Sequence, residues 1–318
     1  MQMARCEIYN VFSRLSGRIA VVLALAGLVS FWLAPGWHVL LASSDANRRD
    51  FKDIAYGADP SNRMDLYKPP GKGPFPAIIY VHGGGWWNGD KKFLTDDTID
   101  YMVSKGAAVV AINYRNLVAA KRDAIFPPVL APLDDTRSAY QYLLKNGRSM
   151  GIDNTRLAVW GDSAGGFNAL WLALSVEKEH PSPIKAVGGI DAQTTIDPLE
   201  MRDWVSPSVN YGGHAFGLPE ADFQSFLAQR SKFLDAIMAL SPSHLVGADS
   251  PPIVLLYSKE LQDQSTDHMS LVHSPKFGAG FEKVAKENGQ AITLLDGAAR
   301  IPARYDDFFD FLIDHVTK

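Results

Sequence analysis

The stretch RLAVWGDSAGGFNALWLAL, residues 156–174, decides how this chain is read. A short apolar run, Arg156 to Trp160, gives way to Gly161-Asp162-Ser163-Ala164-Gly165, and an apolar stretch of helical length follows. A serine at such a junction sits on a strained strand-to-helix bend. Its neighbours must be small because two backbones pass closely there, and its Oγ is left exposed at the helix N-terminus. The bare G-x-S-x-G pattern is weak, but a strand in front and a helix behind make it strong. Ser163 is therefore the candidate reactive side chain.

Working outward, the second informative segment is YVHGGGWWNGD (80–90), directly after another apolar run. Three successive glycines expose backbone N–H groups that no side chain screens, which suits the stabilisation of a negatively charged oxygen. Gly84 and Gly85 are the candidate donors, with the N–H of Ala164 completing the set. A phosphate-binding loop is the rival reading, but no Lys-Ser/Thr follows the glycines. His82 is expected to orient this loop by hydrogen bonding rather than to act as a base.

Around these two segments, short apolar runs alternate with amphipathic ones from about residue 50 onward, the rhythm of an α/β fold. Eight strand candidates can be marked: 53–57, 63–67, 77–81, 107–114, 156–160, 184–190, 252–257 and 291–295. The later ones are nearly continuous apolar runs, as parallel strands covered on both faces require. Helical spacing appears at 133–147, 281–289 and 305–316. The span 191–250 is too long for a simple crossover, and FQSFLAQRSKFLDAIMAL (223–240) reads as one or two helices inserted above the sheet. Trp204, Tyr211 and Phe216 in this insertion either shape a pocket or pack the added helices.

The 318 residues, 47% hydrophobic and 21% charged, are globular in type. With no repeat or linker in view, residues 46–318 read as one domain. Residues 1–45 differ: Arg5, Arg14 and Arg18 precede the apolar run 19–34, followed by Pro35-Gly36 and LLASSDA. That pattern reads as a cleaved signal peptide or as a retained membrane anchor, and either way the body is expected to be exported, periplasmic or secreted, or held at a membrane through 19–34. The only cysteine, Cys6, precedes that run, so the body has no disulfide. The whole chain carries −4, and with no concentrated basic face a nucleic-acid partner is not expected. No histidine or carboxylate spacing matches a metal site, and no cofactor is implied.

HGGGW together with GDSAGG resembles the α/β-hydrolase fold, in particular the esterase branch related to hormone-sensitive lipase and the feruloyl- or acetyl-esterase-like families. The resemblance covers nearly the whole body, from DIAYGADPSNRMDLYKP through SPSHLVGADSPPIVLLY. It implies a mostly parallel eight-stranded sheet with helices on both faces, an insertion between strands 6 and 7, and a serine carboxylesterase acting on a small acyl or carbohydrate ester. Ser163 would be the nucleophile, with an acid after PPIVLLY; Asp267 is the preferred match and Asp263 the runner-up. The resemblance also implies a histidine after the last strand, where AITLLDGAARIPARYDDFFDFL (291–312) contains none and Arg300 stands instead. A guanidinium stays protonated and cannot take the serine's proton. His268 and His273, in the loop after the seventh strand candidate, are the substitutes whose chain position allows reach. His315 is assigned to the terminal helix, and His214 and His244 cannot be placed. Without a base, the alternative is a hydrolase-fold binding protein.

Overall fold

The computed structural model describes residues 48–177, 182–219, 222–298 and 303–318. The leader or anchor expected at 1–45 and the position of Arg300 lie outside the described residues. Eight strands run β1 (Arg49–Ala55), β2 (Arg63–Lys68), β3 (Phe75–Val81), β4 (Ala108–Ile112), β5 (Ile152–Asp162), β6 (Ile184–Ile190), β7 (Ile253–Leu256) and β8 (Ile292–Leu295). The helices are α1 (Asp96–Ser104), α2 (Leu117–Arg122), α3 (Leu130–Asn146), α4 (Ala164–Glu177), α5 (Pro198–Trp204), α6 (Phe223–Ala228), α7 (Leu234–Leu240), α8 (Pro242–Leu245), α9 (His268–Val272), α10 (Lys276–Glu287) and α11 (Ala303–Thr317).

The sheet order is β1-β2-β4-β3-β5-β6-β7-β8. β2 pairs antiparallel with β1 and β4, and every pairing from β4 to β8 is parallel. All eight expected strands are found. The first begins four residues earlier than the apolar pattern marks it, because a bulge between Phe51 and Ile54, with Asp53 at φ 55°, breaks the alternation.

Side chains of the central strands alternate between two apolar layers. Ile79, Val81, Val110, Leu157 and Val159 join the layer under α3 and α4, whereas Ile78, Tyr80, Val109, Ala158 and Trp160 join the layer under α1 and α11. Each such burial contributes roughly 1.5–3 kcal/mol for a large aliphatic side chain, which commits the strands to these faces. Helix α4 is apolar on most of its surface and buried at every described side chain except the half-buried Ser175, as a helix carrying the central turn must be. Between β6 and β7 the insertion holds α5 to α8. The long run at 223–240 is split into two helices by a 3-10 turn at Arg230–Lys232.

Three backbones meet where β5 leads into α4. A Cβ on Gly165 would lie 2.1 Å from the Val81 carbonyl oxygen and 2.4 Å from that of His82, and one on Gly161 would lie 2.4 Å from Val81 O. These neighbours are main chain and cannot swing aside. Gly165→Ala is therefore expected to cost about 3 kcal/mol, read as a lowered urea midpoint with an unchanged slope.

Candidate active site

Ser163 occupies the bend between β5 and α4 with φ 50°, in the left-handed region that side chains rarely adopt. Its N–H donates to Ile190 O at 2.8 Å, and its carbonyl accepts the N–H of Phe167 at 3.1 Å, opening the helix. The strain is thus held by the exit of β6 on one side and by the first turn of α4 on the other. Ser163 is partly exposed.

An imidazole stands against this serine although the last strand supplies none. His273 Nε2 lies 2.9 Å from Ser163 Oγ. In the tautomer with its proton on Nδ1, Nε2 accepts the hydroxyl proton. His273 caps the C-terminus of the short helix α9, its N–H donating to Met269 O at 3.0 Å. The residue before it is fastened from β6's exit, where the fully buried Gln193 donates Nε2–H to Val272 O at 2.7 Å. Desolvation pushes the imidazole down to about 4, and the positive potential of His268 and Lys259 adds to the effect. Although the residue reaches solvent at one edge, it lies deep among protein atoms, and it is neutral at pH 7.

The expected acid is elsewhere. Asp267 is the N-cap of α9: its carboxylate accepts the N–H of Ser270 at 3.1 Å and the Ser270 hydroxyl. Those bonds hold its pKa below the usual range. Both carboxylate oxygens are thus engaged at the helix start, and Asp267 makes no hydrogen bond to His273 at the helix end. Asp263 accepts from Ser265 N at 2.6 Å in the exposed loop and lies 3.7 Å from Lys259. Among the described residues, no carboxylate makes a hydrogen bond to the His273 ring.

The glycine loop leaves β3 beside the bend. His82 is buried, with Nδ1–H donating to Gly83 O at 2.8 Å and its ring stacked on Tyr114 at 4.2 Å. Burial pushes it down to about 4, so it is a neutral structural ring. Gly84 and Gly85 follow with φ 110° and 59°. The Gly84 carbonyl turns inward to accept the N–H of Trp87 at 3.0 Å and of Asn88 at 3.3 Å. Because a trans peptide sets C=O and N–H in opposite directions, the N–H of Gly85 faces the other way. Among the described residues no hydrogen-bond acceptor occupies the N–H of Gly84 or Gly85. Asp162, the residue before the serine, accepts the Tyr80 hydroxyl at 2.7 Å and packs against Gly83, where a Cβ would lie 2.4 Å from its Oδ2, so the loop is seated on β5.

The insertion closes one side. Tyr211 and His214 are buried against Trp86, with ring centroids 5.8 and 5.4 Å from it, and Trp87 covers His214 at 6.1 Å. Burial pushes His214 down to about 4, and the Gly85 carbonyl opposes this. Phe216 instead stacks with Phe226 and Phe233 at 5.3 and 4.9 Å, packing the inserted helices. Trp204 lies over Gly280, joining α5 to α10. His244 faces Asp197 and Glu200 at 3.6 and 3.7 Å. His268 is exposed on α9, and His315 is on α11 with its ring nitrogen on Phe311 O. No group of three His, Cys, Asp or Glu among the described residues could hold a metal ion.

Asp191 was not legible in the sequence. It directly follows β6 at φ 48°, buried, with Oδ1 accepting the Ser258 N–H at 2.8 Å and hydroxyl at 3.1 Å, while Oδ2 is buried without a partner. Burial pushes it up to about 6.

Compared with known proteins, residues 64–269 match the BD-FAE family model. That span is more than half of the chain, which therefore belongs to the BD-FAE family, within the esterase and lipase branch of the α/β-hydrolases. Among curated relatives, an ethyl acetate hydrolase of Pseudomonas putida is 32% identical over 171 residues, 52% of this chain and 49% of that protein. Carboxylesterase NlhH of Mycobacterium tuberculosis is 34% identical over 185 residues, 57% of this chain and 53% of its own. The chain thus spans about half the length of these relatives. Among solved structures, a truncated carbohydrate esterase from gut microbiota superposes with a TM-score of 0.64 at 20% identity, covering 85% of this chain and 97% of its own. Esterase B of Lactobacillus rhamnosis gives 0.59 at 20% identity, covering 96% and 95%. At that identity these likenesses establish the fold.

The Asp191 environment predicts a pH effect. Its folded pKa lies above the unfolded 3.8, so the native state holds a proton that the unfolded chain releases between about 4 and 6. Stability is penalised as pH rises through that window. Asp191→Asn is expected to gain on wild type by up to ~3 kcal/mol between pH 4 and pH 8, measured by urea unfolding at both.

Proposed function

We propose that this chain is a serine carboxylic-ester hydrolase in which Ser163 and His273 form a dyad, acting on a small acyl or carbohydrate ester. The observation that carries the reading is the 2.9 Å approach of His273 Nε2 to Ser163 Oγ. Oγ attacks the ester carbonyl carbon while Nε2 takes its proton. The carbonyl oxygen, now an anion, is received by the N–H groups of Gly84, Gly85 and Ala164. Collapse expels the alkoxide, which takes the proton back from the imidazolium, and water then repeats the sequence on the acyl-serine. The curated ester hydrolases similar to this chain support the reaction class. The arginine-flanked apolar run at 19–34 supports delivery of the domain out of the cytoplasm or to a membrane surface.

The dyad differs from a full triad in its electrostatics. Among the described residues no carboxylate is bonded to the imidazolium that forms, and His268 and Lys259 oppose it. The base is consequently weak but already neutral in mild acid. A second reading, a binding protein of hydrolase fold with little turnover, is favoured by that same lack of a counter-charge.

A fluorophosphonate probe separates the two. Under the first reading it labels the wild type, does not label Ser163→Ala, and labels His273→Ala about 10³-fold more slowly. A folded wild type that resists labelling would favour the binding protein. The pH dependence adds a signature: kcat/KM should hold its plateau down to an acid limb near 4, where His273 protonates.

A further inference from the structure

The glycine loop is strained beyond its glycines. Trp86, the next residue, also lies in the left-handed region at φ 60°, so three consecutive residues adopt it. A bulky side chain there costs about 1–3 kcal/mol and persists only where its surroundings over-determine it. Here they do. The indole is wholly buried, its ring meets the edge of Phe167 at 5.4 Å, its carbonyl accepts the Leu117 N–H at 2.9 Å, and its Nε1–H donates to Asn168 Oδ1 at 2.8 Å.

Asn168 is itself wholly buried on α4, the helix that Ser163 opens. Its amide is oriented from both ends. Indole nitrogen only donates, so Oδ1 must face Trp86, and Nδ2 then donates to Thr136 Oγ1 at 3.3 Å, whose own hydroxyl donates to Pro132 O at 2.7 Å. Gly84 and Gly85 therefore hang between two ties. Gly83 is packed against Asp162, just before the serine, and Trp86 is held by Asn168, five residues after it.

We propose that Asn168 is a positioning residue for oxyanion stabilisation: by holding the Trp86 indole it sets where the N–H groups of Gly84 and Gly85 stand relative to Ser163 Oγ. This rests on the hydrolase reading above. The hydrogen bond touches no substrate, so its loss acts on the rate through the loop and leaves ground-state binding alone.

The test uses Trp86→Phe, which keeps an aromatic ring but no N–H, Asn168→Leu, and the double variant, with p-nitrophenyl acetate. Wild-type turnover that Ser163→Ala abolishes first establishes the reading; a wild type inert to both ester and fluorophosphonate sinks that reading and this inference with it. Given an active wild type, each single variant is expected to lose about 10- to 100-fold in kcat with KM within about twofold. Affinity for a trifluoromethyl ketone, whose adduct places an oxyanion in the loop, should fall in parallel. The double variant should be no worse than either single one, since both break the same bond. If kcat is unchanged in folded Trp86→Phe, if the losses add, or if KM moves and kcat does not, the inference fails while the hydrolase reading stands. Should Asn168→Leu not fold, the Trp86→Phe kinetics and ketone affinity decide alone.

Discussion

The architecture depends on the close approach of three main-chain segments: the end of β3, the end of β5 and the start of α4. Val81 O and His82 O occupy the space where a side chain on Gly161 or Gly165 would stand. That proximity forces glycine at two positions and a left-handed serine between them. It also brings the glycine loop leaving β3 beside the serine hydroxyl. The order β4-β3-β5-β6 is what places β3 and β5 side by side, so the sheet topology and the site are one arrangement seen at two scales.

Onto this rigid junction the chain adds an imidazole from an unusual place. His273 arrives from the segment after β7, at the end of a five-residue helix, rather than after β8. Its environment is one of desolvation without compensation: buried among protein atoms, near Lys259 and His268, and, among the described residues, without a carboxylate hydrogen-bonded to its ring. A charge formed there is costly, which favours the neutral ring that can accept a proton and disfavours the imidazolium that must follow. Those two tendencies pull the proposed dyad in opposite directions.

The fold was legible because its signals are local. Alternation of buried residues such as Ile78, Ile79, Tyr80 and Val81 marks a strand covered on both faces, and G-D-S-A-G between a strand and a helix marks the bend. The glycine loop was legible for the same reason. The imidazole beside Ser163 was legible only as a choice between His268 and His273 by their place after the seventh strand, since the pairing of His273 with Ser163 joins residues 110 apart and no local pattern separates the two. Asp267 suits an acid by its place in the chain and a cap by its local chemistry, and the cap prevails: an aspartate three residues before Ser270 starts a helix. Asp191 and Gln193 carry no sequence signal, because what matters about them is the side chain they face across the sheet edge. Tyr211 and Phe216, alike in the sequence, part company only in the packed insertion.

The exit of β6 serves the serine and the imidazole alike. Ile190 O receives the Ser163 N–H, Ala192 O receives the Tyr257 hydroxyl, Gln193 grips Val272 O, and Thr194 Oγ1 donates to Phe277 O. Ser163 and His273 are thereby mounted on one short bracket of backbone. Because the insertion starts from this same bracket, a displacement passed down from it reaches oxygen and nitrogen together rather than one of them alone.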